Sequence, residues 1–237
     1  MEQEVISKAD ISDVLIERPV SFSIKGRHFL IYRPTLGKIQ LLSRLFEAIG
    51  YNKLQATDDI YYHTFIVARD KVESCIRIIA YSTLPSDECL DEGKVKERIK
   101  ELKDLDTEDI ATILIMIFRL DRTDDIMRQF GMDKEAKRLN DILKVKAKTS
   151  GNSPSFGGKS LWGSLIDVAC ERYGWSLHYV LWGISYSNLR LLLADQVRTV
   201  FLTDEERKQV HIPSDNTTYK VDGGQSFKDF VNTQNWR

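Results

Sequence analysis

The chain has 237 residues, of which 42% are hydrophobic and 29% charged, a composition typical of a globular protein. Its 34 Lys and Arg residues nearly balance its 35 Asp and Glu residues. A dedicated nucleic-acid binder carries a basic excess, so we expect no nucleic-acid partner. The longest apolar run, IATILIMIF at 110–118, is too short to span a bilayer. The acidic, mixed N-terminus is not a signal peptide, and we expect a cytoplasmic protein without membrane contact.

The first predicted element is a β-hairpin. Residues 20–24 and 27–32 are rich in β-branched and aromatic side chains, and only Lys25-Gly26 separates them. Two such runs across a two-residue gap that contains glycine are typical of a tight hairpin. Pro34 ends the second strand because proline cannot donate a hydrogen bond to a sheet.

A helical body follows the hairpin. Thr35 is a suitable N-cap for a helix over 36–49, whose apolar residues recur at helical spacing. Gly50 follows at the position where a left-handed residue ends a helix. The same spacing predicts further helices over residues 57–81, 94–102, 107–118 and 133–148.

A change in composition at 149–160 divides the chain. Ser, Gly, Pro and Asn predominate there, as they do in flexible linkers. We therefore predict a β-hairpin with a helical body over 1–148, an aromatic helical subdomain over 161–203 and a loosely structured polar tail over 204–237. The fold class that follows is mainly α, an α+β arrangement in which one N-terminal hairpin accompanies helices.

The predicted subdomain concentrates aromatic residues around two glycine-containing turns. We expect helices over 161–173, 176–182 and 187–201. Clustered Trp and Tyr residues are typical both of binding hot spots and of ordinary cores, and the sequence leaves these two interpretations open. The candidate protein-binding residues are Trp162, Tyr173, Trp175, Tyr179 and Trp182, together with Phe29 and Tyr32 of the hairpin.

The sequence contains no recognisable catalytic or metal-binding pattern. GGKS at 157–160 matches the end of a phosphate-binding loop, but Ser153 occupies the position where that loop requires its first glycine. The four histidines are scattered without HExxH spacing, and no nucleophile elbow is present. The three cysteines form no CxxC pair. We therefore expect no enzyme activity, no cofactor and no metal site.

A helix-turn-helix that reads DNA is a rival interpretation of residues 161–201. Two helices joined by a glycine turn fit that motif, and SYSNLR at 185–190 supplies polar side chains able to touch bases. Arg190 and Arg198 are the only basic residues of the second helix, and they stand beside Asp195. Since DNA binding usually needs several phosphate contacts, the sequence favours protein contacts over DNA contacts.

Two segments of the chain resemble the tail assembly chaperones of tailed bacteriophages and prophages, which are small cytoplasmic proteins encoded beside the tape-measure gene. One segment is the hairpin that leads into a helix, GRHFLIYRPTLGK at 26–38. The other is YGWS at 173–176, followed by a short helix and a leucine-rich helix. The resemblance covers roughly a third of the chain, and the helices of the middle lie outside it.

The resemblance implies a non-enzymatic protein that coats the helical tape-measure protein and keeps it from aggregating before the tail tube forms. The implied partners are the tape-measure protein or other tail proteins, and further copies of the chain itself, in the cytoplasm of the host. We expect the hairpin edge and the aromatic helices to bind them. Two alternatives stay open: a structural component of the tail or head–tail connector, and a DNA-binding regulator.

Overall fold

The fold of the chain is known from a computed structural model. It confirms the predicted fold class, because a single two-stranded antiparallel hairpin accompanies a body of helices in the described part of the chain. Among the described residues, no helix is both long and apolar enough to cross a membrane.

The described residues are 7–55, 59–149, 160–196 and 199–211. The helices and strands are α1 (Lys8–Leu15), β1 (Val20–Ile24), β2 (Arg27–Ile31), α2 (Leu36–Ile49), α3 (Tyr51–Gln55), α4 (Ile60–Asp70), α5 (Val72–Thr83), a 3-10 turn (Asp87–Leu90), α6 (Glu92–Leu102), α7 (Thr107–Phe118), α8 (Thr123–Gln129), α9 (Met132–Thr149), α10 (Leu161–Tyr173), a π-helical turn (Tyr179–Gly183), α11 (Tyr186–Ala194) and α12 (Asp204–Gln209).

The hairpin forms where the sequence predicts it. β1 and β2 pair with Phe22 opposite Phe29, and the two rings stack with their centroids 5.4 Å apart. Lys25 and Gly26 adopt φ values of 47° and 74°, as a tight two-residue hairpin turn requires. The ammonium of Lys25 lies 3.1 Å from the carboxylate of Asp109, which ties the turn to the start of α7.

The main hydrophobic core surrounds α5. Ile78 and Ile79 are fully buried on this helix, and Ile113 and Leu114 of α7 belong to the same buried cluster as Leu42 of α2. Helices α4, α5 and α7 contact one another, and α2 and β2 both contact α5. The hairpin is therefore held against the helical body through the helix that the core surrounds.

The prediction of one helix over 57–81 is wrong, because α4 and α5 are separate. The chain breaks at Lys71, whose φ of -131° and ψ of 43° are not helical. The N–H of Lys71 bonds to the carbonyl of Val67 and closes α4, while its ammonium donates to the carbonyl of Ala48. Phe65 of α4 is 42% exposed and lies outside the core.

Other helix bounds also differ from the sequence pattern. Helices α1, α3 and α8 were not predicted, since helices of eight residues or fewer show too little of an apolar stripe. The helix predicted over 187–201 is too long, because α11 ends at Ala194, where the N–H of Asp195 bonds to the carbonyl of Leu191. Among the described residues after Leu191, no apolar side chain is buried that could hold further turns. Phe201 is 86% exposed.

The chain divides into two compact units. Within the smaller unit, Lys146 lies 2.9 Å from the buried carboxylate of Glu206, and Thr203 caps α12. Residues 204–209 of the predicted tail are therefore helical, whereas 212–237 lie outside the described residues. So do residues 150–159, where the linker was predicted, and the boundary there stays a prediction. The larger unit takes its residues from Met1–Ala136 and Ser155–Arg198, and the smaller from Lys137–Pro154 and Thr199–Arg237.

A lysine is buried in the first turn of α2. Lys38 is fully buried, and its ammonium donates a 2.6 Å hydrogen bond to the carbonyl of Leu84. Burial removes water from the ammonium and lowers the pKa of Lys38 to about 8, although the nearby Cys89 and Asp87 favour the charge. The N-terminal turn of a helix also disfavours a cation. The charged lysine therefore lowers the stability of the fold at neutral pH.

We expect Lys38 to make the folded protein more stable as the pH rises from about 8 to about 10.5. The folded lysine releases its proton near pH 8, whereas the unfolded lysine keeps it to about pH 10.5, so the unfolded state binds more protons within this window. The gain in the free energy of unfolding is roughly 3 kcal/mol over the whole window.

Chemical unfolding of the wild type and of Lys38→Met, repeated across this pH range, measures the effect. The difference between the two proteins isolates Lys38 from the other titrating groups. The same pH dependence in both proteins would contradict the expectation.

Candidate functional site

We call residues 161–194, which comprise α10, the π-helical turn and α11, the aromatic segment. Its rings are positioned by α10 and the turn that follows it. The hydroxyl of Ser160 caps the start of α10, and Gly174 ends the helix in the left-handed conformation with a φ of 64°. The N–H of Gly174 bonds to the carbonyl of Cys170. This reversal brings the ring of Trp175 against the ring of Tyr173, with the centroids 4.5 Å apart and the planes 26° from parallel.

The segment predicted as a helix over 176–182 is helical from Leu177, but Tyr179–Gly183 forms a π-helical turn instead of an α-helix. The ring of Tyr179 lies across Gly183, where an added Cβ would stand 2.3 Å from Cδ2 of that ring. The same ring meets Trp175 edge to face, with the centroids 5.1 Å apart. Glycine at this position is therefore what lets Tyr179 fold back toward Trp175. Single π-helical turns are rare and are often found at functional sites.

These contacts build a continuous row of rings from Tyr173 through Trp175 to Tyr179. The hydroxyl of Tyr173 donates a 3.2 Å hydrogen bond to the carbonyl of Leu192, which anchors the row to α11. Tyr179 is 42% exposed, Leu192 is 42% exposed, and Leu177, between Trp175 and Tyr179 in the chain, is 55% exposed. We call Tyr173, Trp175, Leu177, Tyr179 and Leu192 together the aromatic surface. The sequence pattern missed Leu177 and Leu192, because leucine on a helix is more often a core residue.

Two of the predicted binding residues face inward instead. The indole of Trp182 lies on Gly37 in the first turn of α2, so close that a Cβ on Gly37 would stand 2.7 Å from Cζ2 of the indole. The ring of Trp162 packs against Tyr186, with the centroids 5.9 Å apart. Both tryptophans are half-buried. Trp162 packs against a second buried cluster, and so do Tyr173 and Trp175; the cluster consists of Leu36, Ala169, Val180, Ile184 and Leu189.

The segment is also held to α2 through the backbone. Thr35 and Ser185 form an isolated antiparallel β-bridge, and the N–H of Tyr186 donates a 2.8 Å hydrogen bond to the carbonyl of Pro34. Thr35 caps α2 and Ser185 caps α11, and both side chains are buried. Two helices therefore begin at one pairing of the main chain, which fixes the position of the aromatic segment on the helical body.

The two predicted binding residues of the hairpin have different surroundings. Phe29 is 4% exposed, with its ring stacked on Phe22 and the Arg98 guanidinium over it, so Phe29 is a core residue. Tyr32 is half-buried, its N–H bonds to the carbonyl of Ser82, and the Lys38 ammonium lies 5.5 Å from its ring centroid. Neither residue is part of the aromatic surface.

Two of the side chains that a DNA-reading helix would use are engaged within the fold, while Arg198 lies outside the described residues. The amide of Asn188 donates to the Glu17 carboxylate and to the carbonyl of Leu15. The guanidinium of Arg190 donates a 2.6 Å hydrogen bond to Asp124. In this conformation Asn188 and Arg190 already have protein partners, which weighs against the helix-turn-helix interpretation of α11.

The titratable groups of the described residues form no cluster with evident chemistry. No group of three or more His, Cys, Asp or Glu among them is arranged to hold a metal ion. Burial raises the pKa of the Cys75 thiol to about 11, so this cysteine stays protonated and is a poor nucleophile. No family model, curated protein or solved structure matches the chain.

We expect Gly37→Ala to lower the free energy of unfolding by about 1–3 kcal/mol, because the added methyl group meets the Trp182 indole. Without that contact the sign would be the opposite, since alanine is favoured over glycine within a helix by about 1 kcal/mol. Chemical unfolding followed by circular dichroism measures the change.

Two comparisons make the test specific. Gly163→Ala is the matched control, since the nearest atoms to its Cβ would be those of Ser160 at 3.4 Å, and it is expected to be neutral or slightly stabilising. In a Trp182→Leu background, Gly37→Ala is expected to lose most of its cost. A stabilising effect of Gly37→Ala in the wild-type chain would contradict the packing described.

Proposed function

We propose that the chain is a tail assembly chaperone of the tailed-bacteriophage type, which binds a helical tape-measure protein through the aromatic surface. The observation that carries the proposal is the row of Tyr173, Trp175 and Tyr179: its first two rings are half-buried against the second buried cluster, and Tyr179 is 42% exposed. The YGWS segment that resembles those chaperones supplies the first two rings of this row. The proposal includes a cytoplasmic location in the host and self-association of the chain.

The chemistry of such a partner suits the aromatic surface. A long helix with apolar stripes aggregates unless its exposed leucines and aromatic residues are covered. Rings that are already stacked on one another lose little side-chain entropy when a partner helix packs on them, which favours binding. Leu177, which lies between Trp175 and Tyr179 in the chain, and Leu192, whose carbonyl accepts the Tyr173 hydroxyl, add exposed aliphatic area. Each apolar side chain that the partner covers contributes free energy in proportion to the buried area, about 25 cal/mol per Å².

The inward packing of Trp182 changes the design of the binding test. Trp175 and Trp182 are the obvious targets from the sequence, but Trp182 contacts Gly37, so its replacement would disturb the fold together with any binding. Tyr179 and Leu177 are the better targets, since they are exposed and the second buried cluster does not include them.

We expect the double substitution Tyr179→Ala and Leu177→Ser to weaken binding of the co-expressed tape-measure protein by roughly tenfold or more, as loss of hot-spot residues does. The source of the partner is the set of genes that neighbour the gene for this chain. The measurement is a pull-down from co-expressing cells, with the complex sized by light scattering and its affinity measured on the purified proteins.

The matched control is Tyr62→Ala on α4, because Tyr62 is also an exposed tyrosine, at 60%, but belongs to a different helix. It is expected to bind like the wild type. Circular dichroism shows whether each variant keeps its helices. If the folded double variant kept full binding, this would contradict the proposal that the partner binds through the aromatic surface. Recovery of tube or connector proteins without the tape-measure protein would favour a structural component of the particle instead.

A further inference from the structure

A cavity of about 200 Å³ is lined by side chains of α2, the end of β2 and the end of α7. Its aliphatic lining includes Ile31 and Leu42, which are almost fully buried, and Ile117, which is half-buried. An engineered apolar cavity of about 150 Å³ is known to stay dry and to bind benzene, so this volume is enough for one aromatic ring with a small substituent. The cavity belongs to the larger unit and is distinct from the aromatic surface.

Three of the residues that line the cavity are aromatic and contact one another. The ring of Tyr51 stacks on that of Phe46, with the centroids 4.8 Å apart, and lies 4.7 Å from the ring centroid of Phe118. The rings of Phe46 and Phe118 meet edge to face at 6.1 Å. Aromatic rings gain free energy from such contacts in addition to the area that they bury. This part of the lining therefore favours an aromatic ligand over an aliphatic one of similar size.

The two charged residues of the lining favour an uncharged ligand. Lys38 is fully buried, and its ammonium donates to the carbonyl of Leu84, which is not among the residues that line the cavity. Asp121 is exposed to solvent, and its carboxylate accepts hydrogen bonds from the N–H and the hydroxyl of Thr123, at 3.0 Å and 2.5 Å. A charged group of a ligand among the apolar side chains would lose its water without gaining a partner, which is costly.

We propose that this cavity binds a small uncharged aromatic molecule of one ring, which packs against the rings of Phe46, Tyr51 and Phe118 and against the aliphatic side chains beside them. The free energy of binding comes from the apolar surface that is removed from water and from the contacts between rings. The site is independent of the tail-chaperone proposal, since the aromatic surface does not line the cavity.

Toluene is the probe for this site, and NMR spectra of the full chain with labelled Ile and Leu methyl groups show where it binds. The ring of bound toluene is expected to shift, in a saturable way, the methyl signals of the aliphatic residues that line the cavity, namely Ile31, Ile39, Leu42, Ile117 and Leu120. The internal control is the pair of Ile110, at the opposite end of α7, and Leu102 of α6. Neither residue lines the cavity, and their signals are expected to stay unchanged.

Two further comparisons test the chemistry and the place of binding. Benzoate and benzylamine are the charged matches for toluene at neutral pH, and each is expected to bind more weakly by roughly tenfold or more. Ile117→Phe adds a ring to the lining and is expected to weaken toluene binding by a similar factor. Ile115→Phe on the same helix is the matched control, because Ile115 is also half-buried but does not line the cavity, and it is expected to bind toluene like the wild type.

The comparison of toluene with its charged matches uses the wild-type chain, so the test holds even when Ile117→Phe fails to fold. Absence of saturable shifts with toluene overturns the proposal. Shifts as large at Ile110 and Leu102 as at the cavity, binding of either charged match as tight as that of toluene, or undiminished binding by folded Ile117→Phe also overturns it.

Discussion

The contact between the first turn of α2 and the aromatic segment is the constraint on which the rest of the larger unit depends. The PTLGK segment at 34–38 contacts several parts of the chain that are distant in sequence. Its main chain pairs with the start of α11, and its glycine receives the indole of Trp182. Its lysine reaches the carbonyl of Leu84 just beyond α5. One turn of helix thus contacts both the end of α5 and the second buried cluster, and this requires a residue without a side chain beside a buried cation.

This constraint explains which aromatic residues are free for binding. Trp182 contacts Gly37 and Trp162 packs on Tyr186, whereas Tyr179, in the π-helical turn, is 42% exposed and meets Trp175 edge to face. The resulting row is held by ring stacking and by the bond from Tyr173 to α11. A preorganised apolar surface on a packed base is suited to holding a helix with moderate affinity, which the tail-chaperone proposal requires.

Local signals in the sequence predicted the parts of the fold that local physics decides. The Lys25-Gly26 turn, the Thr35 cap and the left-handed Gly50 are confirmed, since each depends on backbone preference within a few residues. The break at Lys71 and the π-helical turn were missed, because apolar spacing continues through both and only tertiary contacts decide them. For the same reason the sequence did not show that Trp182 packs inward, because its contact Gly37 is far from it in the chain.

Hydrogen–deuterium exchange on the wild type and on Gly37→Ala tests the central claim most directly, because it reports local opening segment by segment. The account predicts that loss of this packing speeds exchange in the π-helical turn and α11, while α5 and α7 keep their protection. The start of α2 is expected to open together with the aromatic segment, since the two share one β-bridge. Unchanged exchange in the π-helical turn and α11, or faster exchange spread evenly over all helices, would contradict the claim that this turn positions the aromatic segment.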